Sequence, residues 1–161
     1  MFRGSCQHTG LLSGYFGKGA ERDMLETKAK ELGLNNVHFC GILPHEKVLT
    51  LLSKAKISFI PLKNSTMKDS IPTKVYEALG IGCPVLLVAE GDSCDIVNES
   101  GLGKCVSPEH PEQLVDVFDE MVENYAKYSA HRTGARELMH KKYSRQQITV
   151  AFEQQLHELI K

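Results

Sequence analysis

The sequence predicts an α/β fold: a doubly wound parallel sheet with helices on both faces and a helical C-terminus. Short apolar runs suited to strands alternate with amphipathic segments of helical period, with a strand about every 20 to 25 residues. The 161 residues are 42% hydrophobic and 24% charged, an ordinary globular balance that supports one domain with a real core. We therefore predict a single domain over residues 1–161, with residues 1–9 kept outside the fold as an expression remnant or a disordered start.

Five strands follow from the apolar runs. Their predicted positions are residues 11–16, 37–40, 57–62, 85–88 and 103–106. The first is the weakest, because glycine and serine interrupt it. The run Pro84-Val-Leu-Leu-Val88 is apolar throughout, which is typical of a parallel strand covered on both faces.

The helices follow from period and from capping residues. They are predicted at residues 20–32, 44–54, 93–99 and 130–142, with three more beginning at Pro72, Pro111 and Ser144. Gly33 is a natural stop for the first, and Ser144 with Gln147 resembles a capping box. The apolar positions expected to face inward are Leu25, Ala29, Leu32, Val48, Leu51, Leu52, Leu114, Val117, Phe118, Met121, Val122 and Tyr125. The last helix passes through Ile148, Phe152, Leu156 and Leu159.

Composition excludes several classes of function. Lys plus Arg number 19 and Asp plus Glu 20, so the basic excess of a nucleic-acid partner is absent. No run of 18 apolar residues suggests a transmembrane helix, and the first residues show no signal-peptide pattern. The five cysteines show no CxxC spacing, so we expect free thiols in a reducing cytoplasm, with zinc ligation as the remote alternative. They are Cys6, Cys40, Cys83, Cys94 and Cys105.

The most informative stretch runs from Asp69 to Val88. Pro72 suits the first turn of a helix, and Thr73 and Lys74 then lie where free N–H groups and the helix dipole favour an anion. Glu77 follows one turn later, and Gly80 and Gly82 let the helix end close to the sheet. Such a site suits a diphosphate on the helix end and a hydroxyl-rich sugar on the two carboxylates.

Three loops are expected to converge at the carboxyl ends of the strands, where parallel sheets bind ligands. They are residues 17–19, 41–44 and 63–73. The duller interpretations stay open: Gly17 and Gly19 as a plain turn, Asp69 as a turn cap, and Lys74 as a solvated side chain that pairs with Glu77.

Four motifs in order resemble a known family. They are Gly17-Lys-Gly-Ala-Glu-Arg-Asp-Met-Leu, Val37-His-Phe-Cys-Gly-Ile-Leu-Pro, the Asp69-to-Glu77 pair followed by Ala-Leu-Gly-Ile-Gly-Cys-Pro-Val, and Val106-Ser-Pro-Glu-His-Pro-Glu-Gln-Leu. Over about residues 16–161 the chain resembles the donor-binding, C-terminal domain of retaining glycosyltransferases of family 4, which have the two-domain GT-B architecture. The form Pro-Thr-Lys-Val-Tyr-Glu is similar to a subgroup that builds bacterial surface polysaccharides or lipopolysaccharide.

The resemblance implies roles for single residues. Glu77 matches the carboxylate that binds the nucleotide ribose, and Asp69 matches the one that contacts the donor sugar, although Asp is one methylene shorter. The stretch from Ile71 to Thr73 matches the backbone that meets the diphosphate, with Lys74 compensating for the N–H that Pro72 removes. The remaining donor-site residues implied are Gly17 and Gly19 in the first turn and Ile42 and Leu43 beside the base.

The resemblance also implies a UDP- or GDP-sugar donor, no metal or other cofactor, and a hexosyl transfer to a glycan or lipid-linked acceptor. The family's Arg and Lys for the donor phosphates are not recognisable upstream of Gly17, and the N-terminal acceptor domain is absent. We therefore expect a fragment that is inactive alone. The expected location is cytoplasmic, with Lys141, Lys142 and Arg145 forming either a solvated helix end or a contact with anionic lipid on the inner membrane.

Two other functions remain as alternatives. A nucleotide-sugar 2-epimerase of the same architecture needs a catalytic base, and no histidine flanks Asp69 or Glu77. A non-catalytic α/β nucleotide-binding module is the other. A phosphoacceptor module would show clustered acids after its first strand, and a dehydrogenase would show GxGxxG; neither pattern occurs near Gly17.

Overall fold

The structure, a computed structural model, describes residues 11–62 and 71–160. The chain divides into two compact units, Met1–Val48 (unit 1) and Leu49–Lys161 (unit 2), and each is described by itself. Helix α2, His45–Lys54, crosses the boundary between them.

Unit 1 contains a two-stranded parallel sheet. Strand β1 is Ser13–Phe16, helix α1 is Arg22–Glu31 and strand β2 is Val37–Gly41, with Ser13 paired to Val37 and Tyr15 to Phe39. All three elements were predicted, and Gly33 ends the turn after α1 at a φ of 65°, a conformation that suits glycine.

The predicted inward face of α1 is wrong in part. Ala29 is buried, but Leu25 is 38% and Leu32 63% exposed. Two short strands offer too little apolar surface to cover a three-residue stripe. Leu51 of α2 is likewise 40% exposed, while Val48 and Leu52 are half-buried.

Unit 2 contains a three-stranded parallel sheet in the order β3-β4-β5, so β4 is central. The strands are β3 (Ser58–Pro61), β4 (Val85–Val88) and β5 (Gly103–Val106). The helices are α3 (Thr73–Ile81), α4 (Asp92–Ser100), α5 (Gln113–Glu123), α6 (Tyr125–Ala130), α7 (Arg132–Tyr143) and α8 (Arg145–Leu159). The predicted apolar stripe that ended at Tyr125 is therefore divided, because α5 ends at Glu123 and Tyr125 begins α6.

Both faces of this sheet are covered, which confirms the predicted fold class. One apolar cluster joins residues of α3, α4 and α7 to Val85 and Leu87 of β4. A second cluster lies on the other face, where Leu86 of β4 packs with Met121 of α5 and Tyr128 of α6. Because side chains alternate along a strand, β4 supplies both clusters and is buried on both sides.

The two ends of α3 lie toward opposite edges of the sheet. Gly82 ends the helix with a φ of 80°, and two residues later Pro84 accepts a hydrogen bond of 2.7 Å from Ser58 at the start of β3. The end of α3 therefore lies at the amino edge of the sheet. A nine-residue helix spans about 13 Å, so its first turn lies toward the carboxyl edge.

Arg136 of α7 fixes this end of α3. Its Nε donates to the Ile81 carbonyl oxygen at 2.8 Å. A Cβ at Gly82 would lie 2.7 Å from the same Nε, whereas a Cβ at Gly80 would meet nothing within 4 Å. Of the two predicted glycines, only Gly82 is required for a close approach.

The prediction of free cysteines is wrong for one pair. Cys94, in the first turn of α4, forms a disulfide with Cys105 of β5, and their Cα atoms are 5.7 Å apart. The two cysteines meet because α4 packs on β5, and their spacing in the sequence did not predict this pairing. Cys40 and Cys83 are free thiols, exposed and buried respectively, and Cys6 lies outside the described residues.

The last helix has the predicted cap and an unexpected surface. The Ser144 hydroxyl accepts a hydrogen bond from the Gln147 N–H at 3.3 Å, as in a capping box. Its apolar positions are nevertheless exposed, from 42% at Leu156 to 83% at Leu159. Within the described ranges, 11–62 and 71–160, no helix is both long and apolar enough to cross a membrane.

Candidate functional site

The first turn of α3 is the centre of the predicted site. Pro72 has extended angles, φ −62° and ψ 137°, so it precedes the helix rather than occupying its first turn, which was the prediction. Its carbonyl oxygen accepts from the Val75 N–H at 2.9 Å and closes the first turn. Ile71 packs against the apolar cluster together with Leu62, the residue after β3, so this helix start is anchored to the sheet.

The outer face of α3 carries the polar groups. Thr73 and Lys74 are exposed, and Glu77 is half-buried one turn later on the same side. The opposite face, with Val75, Ala78 and Leu79, is fully buried. A helix leaves its first N–H groups without acceptors of its own, and its dipole adds positive potential there. The arrangement can hold an anion at the helix start and a hydroxyl group near Glu77.

Helix α4 packs in the same apolar cluster as α3 and begins just after the carboxyl end of β4. Burial raises the pKa of the Tyr76 phenol, and the negative charge of Asp92 adds to that increase. Asp92 is the first residue of α4, and Gly91 before it adopts a φ of 73°, which turns the chain sharply after β4. The two helix starts thus lie on one side of the same sheet edge.

A polar pair missed by the sequence reasoning lies at the same edge. The Ser107 hydroxyl, just after β5, donates to Glu90 Oε1 at 2.8 Å, and Glu90 follows β4. The available signal was a polar residue placed one or two positions after each of two adjacent apolar strands. The Cys94–Cys105 disulfide joins the same two strand connections.

In unit 1 the two predicted turns meet. Gly17, with a φ of 147°, donates its N–H to the Gly41 carbonyl oxygen at 2.9 Å. Gly19 is confined, because an added Cβ would lie 2.9 Å from the Tyr15 hydroxyl. Ile42 is 65% exposed and Leu43 is half-buried. The carboxyl ends of β1 and β2 therefore present these four residues at one edge of their sheet.

Arg22, another residue that the site prediction did not include, ties α1 to β2. Its Nη2 donates to the Phe39 carbonyl oxygen at 3.3 Å. The side chain lies below Gly41, where an added Cβ would be 3.6 Å from Nη1. Arg22 is the arginine of the Gly17-Lys-Gly-Ala-Glu-Arg motif, and in this chain its guanidinium links the motif to β2.

Some predicted residues stay untested. Asp69 and the polar loop at residues 63–70 lie outside the described residues. Of the suggested lipid-contact residues, Lys141 pairs with Glu137 at 3.3 Å and Lys142 with Glu99 at 2.7 Å. The structure brings together Thr73, Lys74 and Glu77 in unit 2, and the turns after β1 and β2 in unit 1.

This fold is an α/β domain with parallel strands, a class in which ligands bind beyond the carboxyl ends of the strands. The sequence matches the family described as "Glycosyl transferases group 1" over residues 11–138. The chain therefore belongs to the group 1 glycosyltransferases.

Known proteins of this kind share parts of the sequence and the fold. The UDP-glycosyltransferase TURAN of Arabidopsis thaliana is 32% identical over 124 residues, which are 75% of this chain and 26% of TURAN. The crystal structure of HepE from Anabaena with UDP-glucose superposes with a TM-score of 0.72 at 19% identity and covers 92% of this chain and 40% of HepE. That of WaaG, a glycosyltransferase involved in lipopolysaccharide biosynthesis, superposes with a TM-score of 0.69 at 22% identity and covers 82% of this chain and 34% of WaaG. This chain thus spans about a quarter of the length of TURAN. Its fold matches that of GT-B glycosyltransferases over 34% to 40% of the solved chains.

Proposed function

We propose that this domain binds a nucleoside-diphosphate sugar and, together with the rest of its protein, transfers the sugar with retention to a glycan or lipid-linked acceptor. The observation that carries the proposal is the start of α3: an exposed Thr73 and Lys74 at the carboxyl edge of a parallel sheet, one turn before Glu77. The membership of the group 1 glycosyltransferases supports the same function.

The first turn of α3 is assigned to the diphosphate. In retaining glycosyl transfer, the bond between the sugar and the nucleoside diphosphate breaks, and the diphosphate is the leaving group. The enzyme must therefore stabilise the negative charge that develops on it. Backbone N–H groups at a helix start do this without reorganisation. Lys74 adds a charge-assisted contact, which is worth about 1.5 to 3 kcal/mol.

Glu77 is assigned to the ribose of the nucleotide. It lies one helical turn beyond the proposed diphosphate site, on the same outer face, and a carboxylate is an acceptor for two neighbouring hydroxyl groups. Asp69 is assigned to the transferred sugar, and the turn with Ile42 and Leu43 to the base. These two assignments rest on the family resemblance alone.

UDP is the nucleotide we propose. TURAN is named a UDP-glycosyltransferase, and HepE was crystallised with UDP-glucose. The structural likeness to WaaG, a glycosyltransferase involved in lipopolysaccharide biosynthesis, supports a role in the synthesis of bacterial surface polysaccharide or lipopolysaccharide. The acceptor and the groups that orient it are assigned to the rest of the protein, and we propose that the diphosphate is held without a metal ion.

Isothermal calorimetry of the purified chain against UDP, GDP, ADP, CMP and NAD tests the proposal. UDP is expected to bind more tightly than the other four, and Glu77→Gln is expected to weaken it about tenfold. The matched control is Glu123→Gln, which changes an exposed carboxylate at the last residue of α5. Equal weakening by both variants, or a preference for NAD, contradicts the proposal.

A further inference from the structure

The disulfide of unit 2 has no part in the proposed nucleotide site, yet it joins two elements near the strand ends. Cys94 lies in the first turn of α4 and Cys105 lies on β5. Both residues are half-buried, so each keeps part of its surface open to solvent. A reductant can therefore approach the pair without unfolding of the protein, and accessible disulfides are the labile ones.

The structure already provides a hydrogen-bond partner for the reduced form. Cys94 Sγ lies 3.2 Å from the carbonyl oxygen of Ala89, the residue that follows β4. A disulfide sulfur has no proton to donate, whereas a thiol at this position donates its S–H to that oxygen. The reduced form thus fits the same fold, with the covalent bond removed.

The two ends of α4 are attached to the rest of unit 2 in different ways. At its C-terminal end, Glu99 accepts hydrogen bonds from Lys142 Nζ at 2.7 Å and from the Tyr143 hydroxyl at 2.8 Å, both on α7. At its start, the disulfide ties the first turn to β5, and the preceding Gly91 has a φ of 73°. Reduction removes the covalent tie of the first turn and leaves the contacts with α7 in place.

The disulfide packs on the same apolar cluster as the start of α3. Cys94, Cys105 and Ile71 all lie against the cluster that contains buried residues of α3, α4 and α7. Ile71 directly precedes Pro72, where the proposed diphosphate site begins. Because a packed core transmits strain, a looser first turn of α4 also loosens the α3 start. Binding of a ligand then has to order more of the protein, which lowers the affinity.

We propose that Cys94 and Cys105 form a reversible redox switch, in which the disulfide strengthens binding of the nucleotide and reduction by a dithiol weakens it. This inference rests on the proposed function, because it assigns a form of regulation to the same site. In a reducing compartment, which the sequence predicts, a disulfide is usually transient and senses the redox state.

The switch works by thiol–disulfide exchange. A thiolate of the dithiol attacks one sulfur of the pair, forms a mixed disulfide and expels the other cysteine as a thiolate. The second thiol of the reductant loses its proton and attacks the mixed disulfide, which expels the remaining cysteine. Two electrons thus pass to the protein, the reductant closes into its own disulfide, and its two protons reach the two cysteines.

The first test asks whether the pair is reducible in the folded protein. It uses the chain with Cys6→Ser and Cys40→Ser, so that the exposed thiol of Cys40 cannot form other disulfides. Millimolar dithiothreitol is expected to reduce the pair while circular dichroism shows a folded protein, and oxidised glutathione is expected to restore it. A pair that resists dithiothreitol until urea unfolds the chain is structural, which overturns the inference.

Calorimetry with UDP then compares the two forms in the same background. The reduced form is expected to bind UDP about fivefold more weakly, at the lower end of typical couplings between sites. The Cys94→Ser/Cys105→Ser variant should bind UDP like the reduced form and should not respond to dithiothreitol. Cys83→Ala is the matched control, because it removes a buried thiol and keeps the pair, so its affinity should still respond.

Amide ¹H–¹⁵N NMR spectra of the two forms test the route to the site. Reduction is expected to shift or broaden the signals of Cys94 and Asp95, and also that of Thr73 at the start of α3. The signals of α8 serve as the internal control and should not move. Changes confined to α4 and β5 would show that the α3 start does not sense the pair, which contradicts the inference.

The affinities separate the inference from the proposed function. If both forms bind UDP equally, if the reduced form binds it more tightly, or if the double serine variant still responds to dithiothreitol, the inference is wrong and the proposed function stands. If neither form binds UDP or another of the nucleotides, the proposed function fails and the inference fails with it.

Discussion

Gly103→Ala is expected to destabilise unit 2 strongly, because Gly103 lies where β5 meets β4 and α4. An added Cβ would lie 2.2 Å from the Val85 carbonyl oxygen and 2.9 Å from Val97 Cγ1. Real Cβ atoms essentially never approach within 3.0 Å, and the closer neighbour is backbone. To make room, β5 must move away from β4, which weakens hydrogen bonds such as that from Val85 N–H to Leu102 O at 2.9 Å.

The magnitude follows from two contributions. Overpacking a core typically costs about 1 to 3 kcal/mol, and each weakened hydrogen bond adds about 1 kcal/mol. We therefore expect a loss of about 3 kcal/mol, which corresponds to a fall of about 6 to 12 °C in the melting temperature of a chain this long.

The matched control is the same substitution at Gly134, in the first turn of α7. A Cβ there meets nothing within 4 Å. Since alanine favours a helix over glycine, Gly134→Ala should stabilise the protein by about 0.5 to 1 kcal/mol. Urea unfolding followed by circular dichroism measures both variants. A Gly103→Ala protein within 1 kcal/mol of the parent would refute the packing of β5 described above.

Four further predictions concern thiols and metal. Replacing Cys94 and Cys105 together by serine should lower the free energy of unfolding by about 3 kcal/mol, as expected for a closed loop of about a dozen residues; equal melting temperatures of parent and variant, with and without a reductant, would contradict the disulfide. Burial raises the pKa of Cys83 to about 11, against the opposing charge of Arg132. In a Cys6→Ser background, iodoacetamide at pH 8.5 should therefore label exposed Cys40 and spare Cys83 until the protein unfolds. The protonated Cys83 thiol also stabilises the fold fully below pH 9.0 and progressively less as the pH rises to about 11, so denaturation midpoints should fall more steeply across that window in the parent than in Cys83→Ala. Finally, EDTA should leave the affinity for UDP unchanged, whereas a loss that Mg²⁺ restores would show that a metal ion holds the diphosphate.

Local signals were sufficient for most elements of the fold. The apolar run at residues 85–88 predicted β4 to the residue, and the alternation of strands and helices predicted a parallel sheet covered on both faces. The Ser144 cap was also predicted, because capping depends on residues three positions apart. These features depend on neighbours in sequence, which is why sequence reasoning reached them.

Features that depend on tertiary contacts were missed. Cys94 and Cys105 are 11 residues apart and meet only because α4 packs on β5. Glu90 and Ser107 are 17 apart and meet because β4 and β5 end at the same level. The exposure of Leu32 could not be predicted from the helical spacing of apolar residues, because an apolar face of a helix is buried only when another surface covers it.

In the candidate site, too, the local features were predicted from the sequence and the tertiary contacts were not. The start of α3, with Thr73, Lys74 and Glu77 on one side, follows from a proline and from helical spacing, although Pro72 proved to precede the helix. The position of that start in the same apolar cluster as α4 required the fold. Local sequence thus identified the proposed nucleotide site, and the packing of strands revealed the polar pair of Glu90 and Ser107.

The most direct test of the central claim is an amide ¹H–¹⁵N NMR titration of the chain with UDP, with uridine as the control that has no phosphates. If the diphosphate rests on the start of α3, UDP should shift the Thr73 and Lys74 amide signals, and uridine should shift them far less. UDP-induced shifts that spare these two amides, or equal shifts with uridine, would contradict the account.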